Sequence, residues 1–535
     1  MEFSDFIKDI LTSAKIKQKY IDTLTSPSSL SYFTTAFTDP SYDSENNYLY
    51  FRTLGTVTLH KIFVWYTAKK FEGVNPKILT QIKINFLKVS KLGEYMETLK
   101  FGDYILYDPK LKMSNKIIEM VFEAFIGVIE LLINKNYKIG IGYVVVNKLC
   151  IYFLDKLNIN LDELKLSDSK TKLKELFMSL NSKIEYTTQK DESNIFHVEV
   201  FMIDEKREKL GEGSGKAIIS GEQEAAKKAL EVLKSRGIYK REKDKTKFVD
   251  RNLINYAPRD ERFMSFVLHL LGRINFLVDV KLDKEDMSTF EKAFTHPDVN
   301  SDPLKNYELL ETLGDNTLNK CVLWYISSRF PQLNCPEGIE ILTRLKIMII
   351  NTTSFSKLAE QLGFFNYISC IKNPTIITRM EIMEDVFESF FAAVEIVIDK
   401  KYKTGMGYII CYRLISSILD QEQFSISYDK LVDPKTRLKE MFNQNKNIMI
   451  EYRKLKNEFE GNNEVYSSYM VESKLIEGTD TYGPLKPIQI DKNILIGKGY
   501  TIKEAEQDVS KKVLEYYKSK QITKQIPKEY LKFCM

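Results

Sequence analysis

Apolar residues in 1–160 and 256–428 fall mostly at helical spacing, the pattern of helices with one buried face. The opening MEFSDFIKDILTSAKIKQKY reads as an amphipathic helix. Acids and lysines among its apolar positions rule out a signal peptide. Elsewhere the period changes. Around 165–238 and 430–521 a helical stretch gives way to alternating segments such as FHVEVFMI (196–203), then a glycine-containing turn, then another helix. Alternation of apolar and polar positions is the mark of half-buried strands. The expected fold is mainly helical, with two small α-β-β-β-α units. No apolar run is long enough to cross a bilayer.

The two halves of the pattern are copies of one another. NYLYFRTLGTVTLHKIFVWY (47–66) aligns with NYELLETLGDNTLNKCVLWY (306–325), and AFTDPSY (36–42) with AFTHPDV (293–299). MVFEAFIGVIELLINKNYKIGIGY (120–143) aligns with DVFESFFAAVEIVIDKKYKTGMGY (385–408). KTKLKELF (170–177) matches KTRLKEMF (435–442), and QEAAKKALEVL (223–233) matches QDVSKKVLEYY (507–517). Both tryptophans of the chain, Trp65 and Trp324, occupy equivalent places. A fixed internal repeat dictates the architecture. The order is helical unit, mixed unit, helical unit, mixed unit: 1–160, 165–238, a charged linker at 239–255, 256–428, 430–521 and a tail at 522–535. The last unit holds extra residues, placed in EFEGNNEVYSSYMVESKLIEGTDTYGPLKP (458–487), a long loop or extended hairpin.

Composition narrows the chemistry. With 44% hydrophobic and 28% charged residues, the chain is an ordinary globular one rather than a disordered one. The net charge of +5 is too small to decide for or against nucleic acid. Six cysteines are scattered with no CxxC pair, and histidine is scarce. This excludes a zinc site and a disulfide framework, and it fits an intracellular, cytoplasmic or nuclear, setting. Any metal must be bound by oxygen, which favours Mg²⁺, with Mn²⁺ acceptable.

The second copy concentrates acids where oxygen ligands would be needed. Glu308, Glu311 and Asp315 stand at i, i+3 and i+7, within an arc of roughly 60° on one helix face. Asp385 and Glu388 share the face of a second helix. A crossing of the two would gather carboxylates that repel one another unless a cation sits between them. The bland reading is a pair of solvated acidic faces. Against it, Leu309, Leu310, Leu313 and Phe387 flank the acids, and Gly314 stands mid-helix beside Asp315, at about 1 kcal/mol relative to alanine. A close helix contact would explain that glycine.

AFTHPDV, NYELLETLGDNTL and EDVFESFFAAV, in that order, resemble the ribonuclease III family, and the mixed units resemble double-stranded-RNA-binding domains. The resemblance implies two all-helical nuclease domains forming an intramolecular pseudo-dimer around duplex RNA, as in Dicer-like enzymes, and leaves open a homodimer. It implies a metal-dependent endoribonuclease that cleaves double-stranded RNA to 5′-phosphate and 3′-hydroxyl ends. Glu311, Asp315, Asp385 and Glu388 take the catalytic and metal-binding positions, and Glu308 an auxiliary one. Thr312 and the Pro297–Asp298–Val299 end of the turn depart from the family pattern. The alternative is a catalytically silent duplex-binding or scaffold protein descended from that family.

In the first copy the same positions hold Leu49, Arg52, Thr56 and Met120, and Glu123 alone survives, opposite Glu388. Arginine repels a cation and methionine offers it no hard oxygen. One active centre per chain is therefore expected. Arg52 is left either to contact a phosphate or to pair with Glu123.

The second mixed unit follows the RNA-binding pattern more closely. Gly497 and Gly499 are expected in the turn before its last helix, with Lys503, Lys511 and Lys512 near that helix's start, suited to phosphates. Glu440 matches a position facing the minor groove, where 2′-hydroxyls distinguish RNA. The first unit keeps Lys216, Lys227 and Lys228 but has Ile218 and Ile219 where paired lysines are expected. Neither shows a device for reading bases, so recognition should be of A-form shape.

Overall fold

The computed structural model describes residues 2–88, 91–157, 159, 169–180, 182–203, 207–215, 217–238, 250–274, 280–444, 448–461, 463–476 and 481–533. Lys216 and residues 239–249 of the expected linker lie outside the described residues. The chain divides into two compact units. One comprises Met1–Tyr66, Gly93–Phe153 and Arg251–Met535, the other Thr67–Leu92 and Leu154–Asp250.

The larger unit is mainly helical. Each copy of the repeat contributes two long helices. In the second copy these are Glu308–Arg329 and Ile376–Lys401, in the first Leu49–Lys70 and Asn115–Asn136. Their starts are set by side chains that satisfy free amides. Asn306 Oδ1 accepts from Glu308 N at 2.8 Å, Thr375 Oγ1 from Thr378 N, and Ser114 Oγ from Ile117 N. The Ile376 helix buries Val386, Phe387, Phe390 and Phe391, and the Asn115 helix buries Val121, Phe122, Phe125 and Ile126.

In each copy the two helices cross at the repeated glycine. A Cβ on Gly314 would lie 1.9 Å from the carbonyl oxygen of Glu388, and one on Gly55 would lie 1.7 Å from that of Glu123. Backbone touches backbone at both crossings, so no side chain fits. The glycine marks a close helix contact, as its mid-helix position suggested.

The copies also meet one another through equivalent residues. Lys61 Nζ pairs with Glu395 Oε1 at 2.5 Å, and Lys320 Nζ pairs with Glu130 Oε1 at 2.6 Å, all four side chains being buried. Thr317 donates to Glu395 Oε2, and Thr58 donates to Glu130 Oε2, each at 2.9 Å. Tyr143 and Tyr408 pack ring to ring at 4.2 Å, and Lys61 and Lys320 lie over Trp65 and Trp324. The arrangement departs from two-fold symmetry in places. The Trp65 indole donates to Leu313 O, and Tyr50 bonds Ser327, whose counterparts Leu309 and Ala68 carry no hydroxyl.

The second mixed unit also lies in the larger body. Pro434–Gln444 packs on Ile502–Ser519, and a sheet of Ile496–Gly499, Asn463–Lys474 and Ile448–Lys454 lies beside them. Part of the extra stretch forms a hairpin: Glu458–Glu460 turns at Gly461 and pairs with the start of the long strand. Gly497 and Gly499 are strand residues, not the expected turn. A Cβ on Gly497 would meet Ala505 O at 2.2 Å, so their role is to let the last helix lie directly on the sheet.

The smaller unit holds the first α-β-β-β-α module: Ser169–Ser179, the antiparallel strands Lys183–Lys190, Phe196–Ile203 and Arg207–Gly215, and Ile218–Ser235. Leu173, Phe177, Val198, Val200, Ala225 and Ala229 form its core. Gly213 and Gly215 again sit in the strand under the helix. Among the described residues, no helix is long and apolar enough to cross a membrane.

Candidate active site

The crossing at Gly314 brings the acids of two helices to one place. Glu308, Glu311 and Asp315 lie on the Glu308 helix, and Asp385 and Glu388 on the Ile376 helix. Glu388 is buried and the others are half-buried. Burial, then the charges of Asp385 and Asp315, pushes Glu311 up to about 8. Burial lifts Asp385 to about 7 even though a hydrogen bond from Tyr307 pulls it down. Glu388 is raised well above the ordinary carboxylate range, by burial first and by Asp315 and Glu311 next. Half-buried acids that hold one another's protons on are short of positive charge.

Two neighbours fix the orientation of these acids. The Tyr307 hydroxyl donates to Asp385 Oδ2 at 2.8 Å, and Asn319 Nδ2 donates to Asp315 Oδ1 at 2.6 Å. A further carboxylate, Glu384, is half-buried beside them and is itself raised, chiefly by burial. Sequence reasoning missed all three. Tyr307 sits in NYELLETLGDNTL beside acids whose helical spacing is the stronger signal. Glu384 has a counterpart, Glu119, in the first copy.

The donor set suits a hard divalent cation in kind, being carboxylate oxygen only, and in charge, because a cation would relieve the mutual repulsion. Among the described residues, however, no three His, Cys, Asp or Glu side chains converge as metal ligands. Asp385 Oδ2 and Asp315 Oδ1 accept from Tyr307 and Asn319.

In the first copy the equivalent place carries its own cation, although burial still raises the Glu123 carboxyl. Arg52 Nε donates to Glu123 Oε2 at 3.0 Å, where Glu311 and Glu388 stand in the second copy. Of the two expectations for Arg52, the structure shows the ion pair. Met120 replaces Asp385, and Tyr48, the counterpart of Tyr307, donates to Asp39 Oδ2 at 3.0 Å.

The residues expected to bind RNA divide. Lys503 and Lys511 are exposed at the last helix, whereas Lys512 donates to Asp508 and to Ile496 O, each at 2.7 Å. Glu440 does not face open solvent. It accepts from Tyr428 at 2.5 Å, pairs with Lys524, and lies 3.4 Å from Arg344. The minor-groove expectation did not include these partners: the carboxylate joins this module to the nuclease-like helices and the tail. In the smaller unit Lys227 and Lys228 are exposed, Lys228 lying 3.4 Å from Glu224. Ile218 and Ile219 are exposed at the start of that helix, at 43% and 69%.

Comparison with known proteins agrees with this geometry. A model described as the ribonuclease III domain matches residues 308–397, the stretch that carries every acid of the cluster. A putative ribonuclease 3 of Invertebrate iridescent virus 6 is 29% identical over 214 residues, covering 37% of this chain and 73% of the relative. One from Frog virus 3 is 38% identical over 164 residues, covering 30% of this chain and 43% of the relative. A solved structure, of Dicer from Pichia stipitis, aligns with 46% of this chain and 96% of that one at 17% identity, with a TM-score of 0.18, too low to speak for a common fold. Ribonuclease 3 of Ligilactobacillus salivarius is 30% identical over 212 residues, 38% of this chain and 86% of the bacterial protein. With that much of a ribonuclease 3 matched, and the family model seated on the two acidic helices, the chain belongs to the ribonuclease III family.

Proposed function

We propose that the chain is an endoribonuclease of double-stranded RNA with one active centre, in the second copy, hydrolysing phosphodiester bonds to 5′-phosphate and 3′-hydroxyl ends. The observation that carries this reading is the contrast between two equivalent crossings. One gathers Glu311, Asp315, Asp385 and Glu388, with the carboxyls of Glu311, Asp385 and Glu388 raised by burial and by neighbouring acids, and the other pairs its surviving Glu123 with Arg52. The four acids would hold a divalent ion, Mg²⁺ or Mn²⁺. When bound, such an ion polarises a phosphoryl oxygen and makes water a nucleophile at neutral pH. Tyr307 keeps Asp385 turned toward the cluster, and Glu308, half-buried at the first turn, lines its approach. The first copy acts as a scaffold. The buried reciprocal pairs between equivalent residues support an internal pseudo-dimer, with duplex RNA across it and the exposed lysines Lys503 and Lys511 on the backbone. In this reading the domains follow the repeat: nuclease units at 1–160 and 256–428, and RNA-binding units at 165–238 and 430–521.

A second reading, a silent duplex-binding scaffold, draws on one observation: no three acids converge as metal ligands among the described residues. Long duplex RNA incubated with Mg²⁺, beside Asp385→Asn and Glu388→Gln variants, separates the two. Cleavage by the wild type and its loss in both variants supports the enzyme. RNA left intact by the wild type overturns it in favour of the scaffold.

A further inference from the structure

The hairpin that lengthens the second mixed unit is docked on the catalytic helix. Asn463 Oδ1, at the start of its long strand, accepts from Ile376 N at 2.9 Å, the first amide of the helix that carries Asp385 and Glu388. The junction lines an open pocket of about 640 Å³. Phe459, Tyr466, Tyr500, Thr378, Thr501 and Lys503 are among its walls. Phe459 is 72% exposed, a large apolar ring held out on a three-residue strand. Tyr466 is held by a 2.7 Å bond from its hydroxyl to Glu464. Lys503 is exposed at the rim.

These features suit one class of ligand. Aromatic faces with hydroxyls beside them take a nucleobase, which stacks without regard to sequence. An exposed ammonium at the rim takes the attached phosphate. The volume lies in the range of ligand pockets of this kind, roughly 300–1,000 Å³. The location matters as much. Ile377, on the cavity wall, precedes Asp385 by about two turns of the same helix, so a strand at the acidic cluster has its neighbouring nucleotides within reach. A paired base cannot enter, because its faces are already stacked in the duplex.

We propose that this cavity binds an unpaired nucleotide of the RNA substrate, with its base against Phe459 and its phosphate at Lys503, so that the protein favours duplexes with a single-stranded extension or bulge near the cleavage position. The proposal rests on the nuclease reading for its substrate, but its test needs no cleavage. Binding is measured on the full-length Glu388→Gln chain, by fluorescence anisotropy, with a short RNA duplex carrying an unpaired extension and with the same duplex blunt. The extended RNA binds at least about five-fold more tightly, the size expected of one stacked base. Phe459→Ala brings the ratio of the two affinities to about one, and Phe459→Trp preserves it. Circular dichroism confirms that each variant is folded. Equal affinities in the parent, or a preference that survives Phe459→Ala, overturns the proposal. Failure of the nuclease reading shows instead as intact RNA with the wild-type chain, whatever the affinities are.

Discussion

Lys61 of the first copy and Glu395 of the second form an ion pair at 2.5 Å with their side chains 0% and 2% exposed. The same pair recurs between Lys320 and Glu130. These four residues and the threonines and tyrosines around them are identical in both copies, although the acids nearby have diverged. The chain kept the contact between halves in a copy that lacks most of those acids. That is the behaviour expected if the first copy serves as a surface rather than a centre.

A buried pair of this kind is costly to break singly, because the remaining charge has no water. Lys61→Met should therefore lower stability in urea denaturation by about 3–5 kcal/mol. Lys61→Met combined with Glu395→Met should cost less than the sum of the single changes, since it removes both charges at similar volume. Additive effects would mean that the two residues do not act on each other.

Part of this site could be read from the sequence because the chain carries its own comparison. Gly55 and Gly314 recur at one position of the repeat, and in both the reason is a facing carbonyl. The loss of Glu311, Asp315 and Asp385 counterparts was likewise visible as Arg52, Thr56 and Met120. What escaped depends on contacts between distant segments. The partners of Glu440 were not legible because Arg344, Tyr428 and Lys524 lie in three separate stretches. Gly497 looked like a turn because spacing does not show that a helix will lie on the strand. Tyr307 gives no signal in the sequence, because a hydroxyl beside a helix start has no periodicity.

The acidic cluster predicts how stability varies with pH. Glu311 rises from an ordinary 4.5 to about 8 in the folded protein. The fold therefore holds a proton that the unfolded chain releases near 4.5. With no divalent ion bound, stability falls as pH rises through that interval, and the loss is complete above about 8. Glu311→Gln removes the penalty. In chelator the variant should melt above the wild type at pH 8, by the equivalent of about 1–3 kcal/mol, and close to it at pH 4. Thermal melts at the two pH values check this. Equal melting at pH 8 would show that the cluster is already compensated.

Glu440 offers a test of whether the second mixed module meets RNA through its first helix or is anchored there. The carboxylate joins Tyr428, Arg344 and Lys524. Lys524 is only 11% exposed, and the tail beyond it buries Tyr530 to 1% exposure. Glu440→Ala would leave two cations facing each other in a partly dry place, so it should lower stability by about 1–3 kcal/mol. It should also speed proteolytic cutting of 522–533, since the tail loses its charged tether. Duplex affinity should stay within about two-fold of wild type, because a group already held by three partners contributes little to RNA. If the helix reads 2′-hydroxyls, the same change weakens binding to RNA more than to DNA and leaves the melting temperature unmoved. Melting, proteolysis and paired RNA and DNA titrations on one variant decide between anchor and reader.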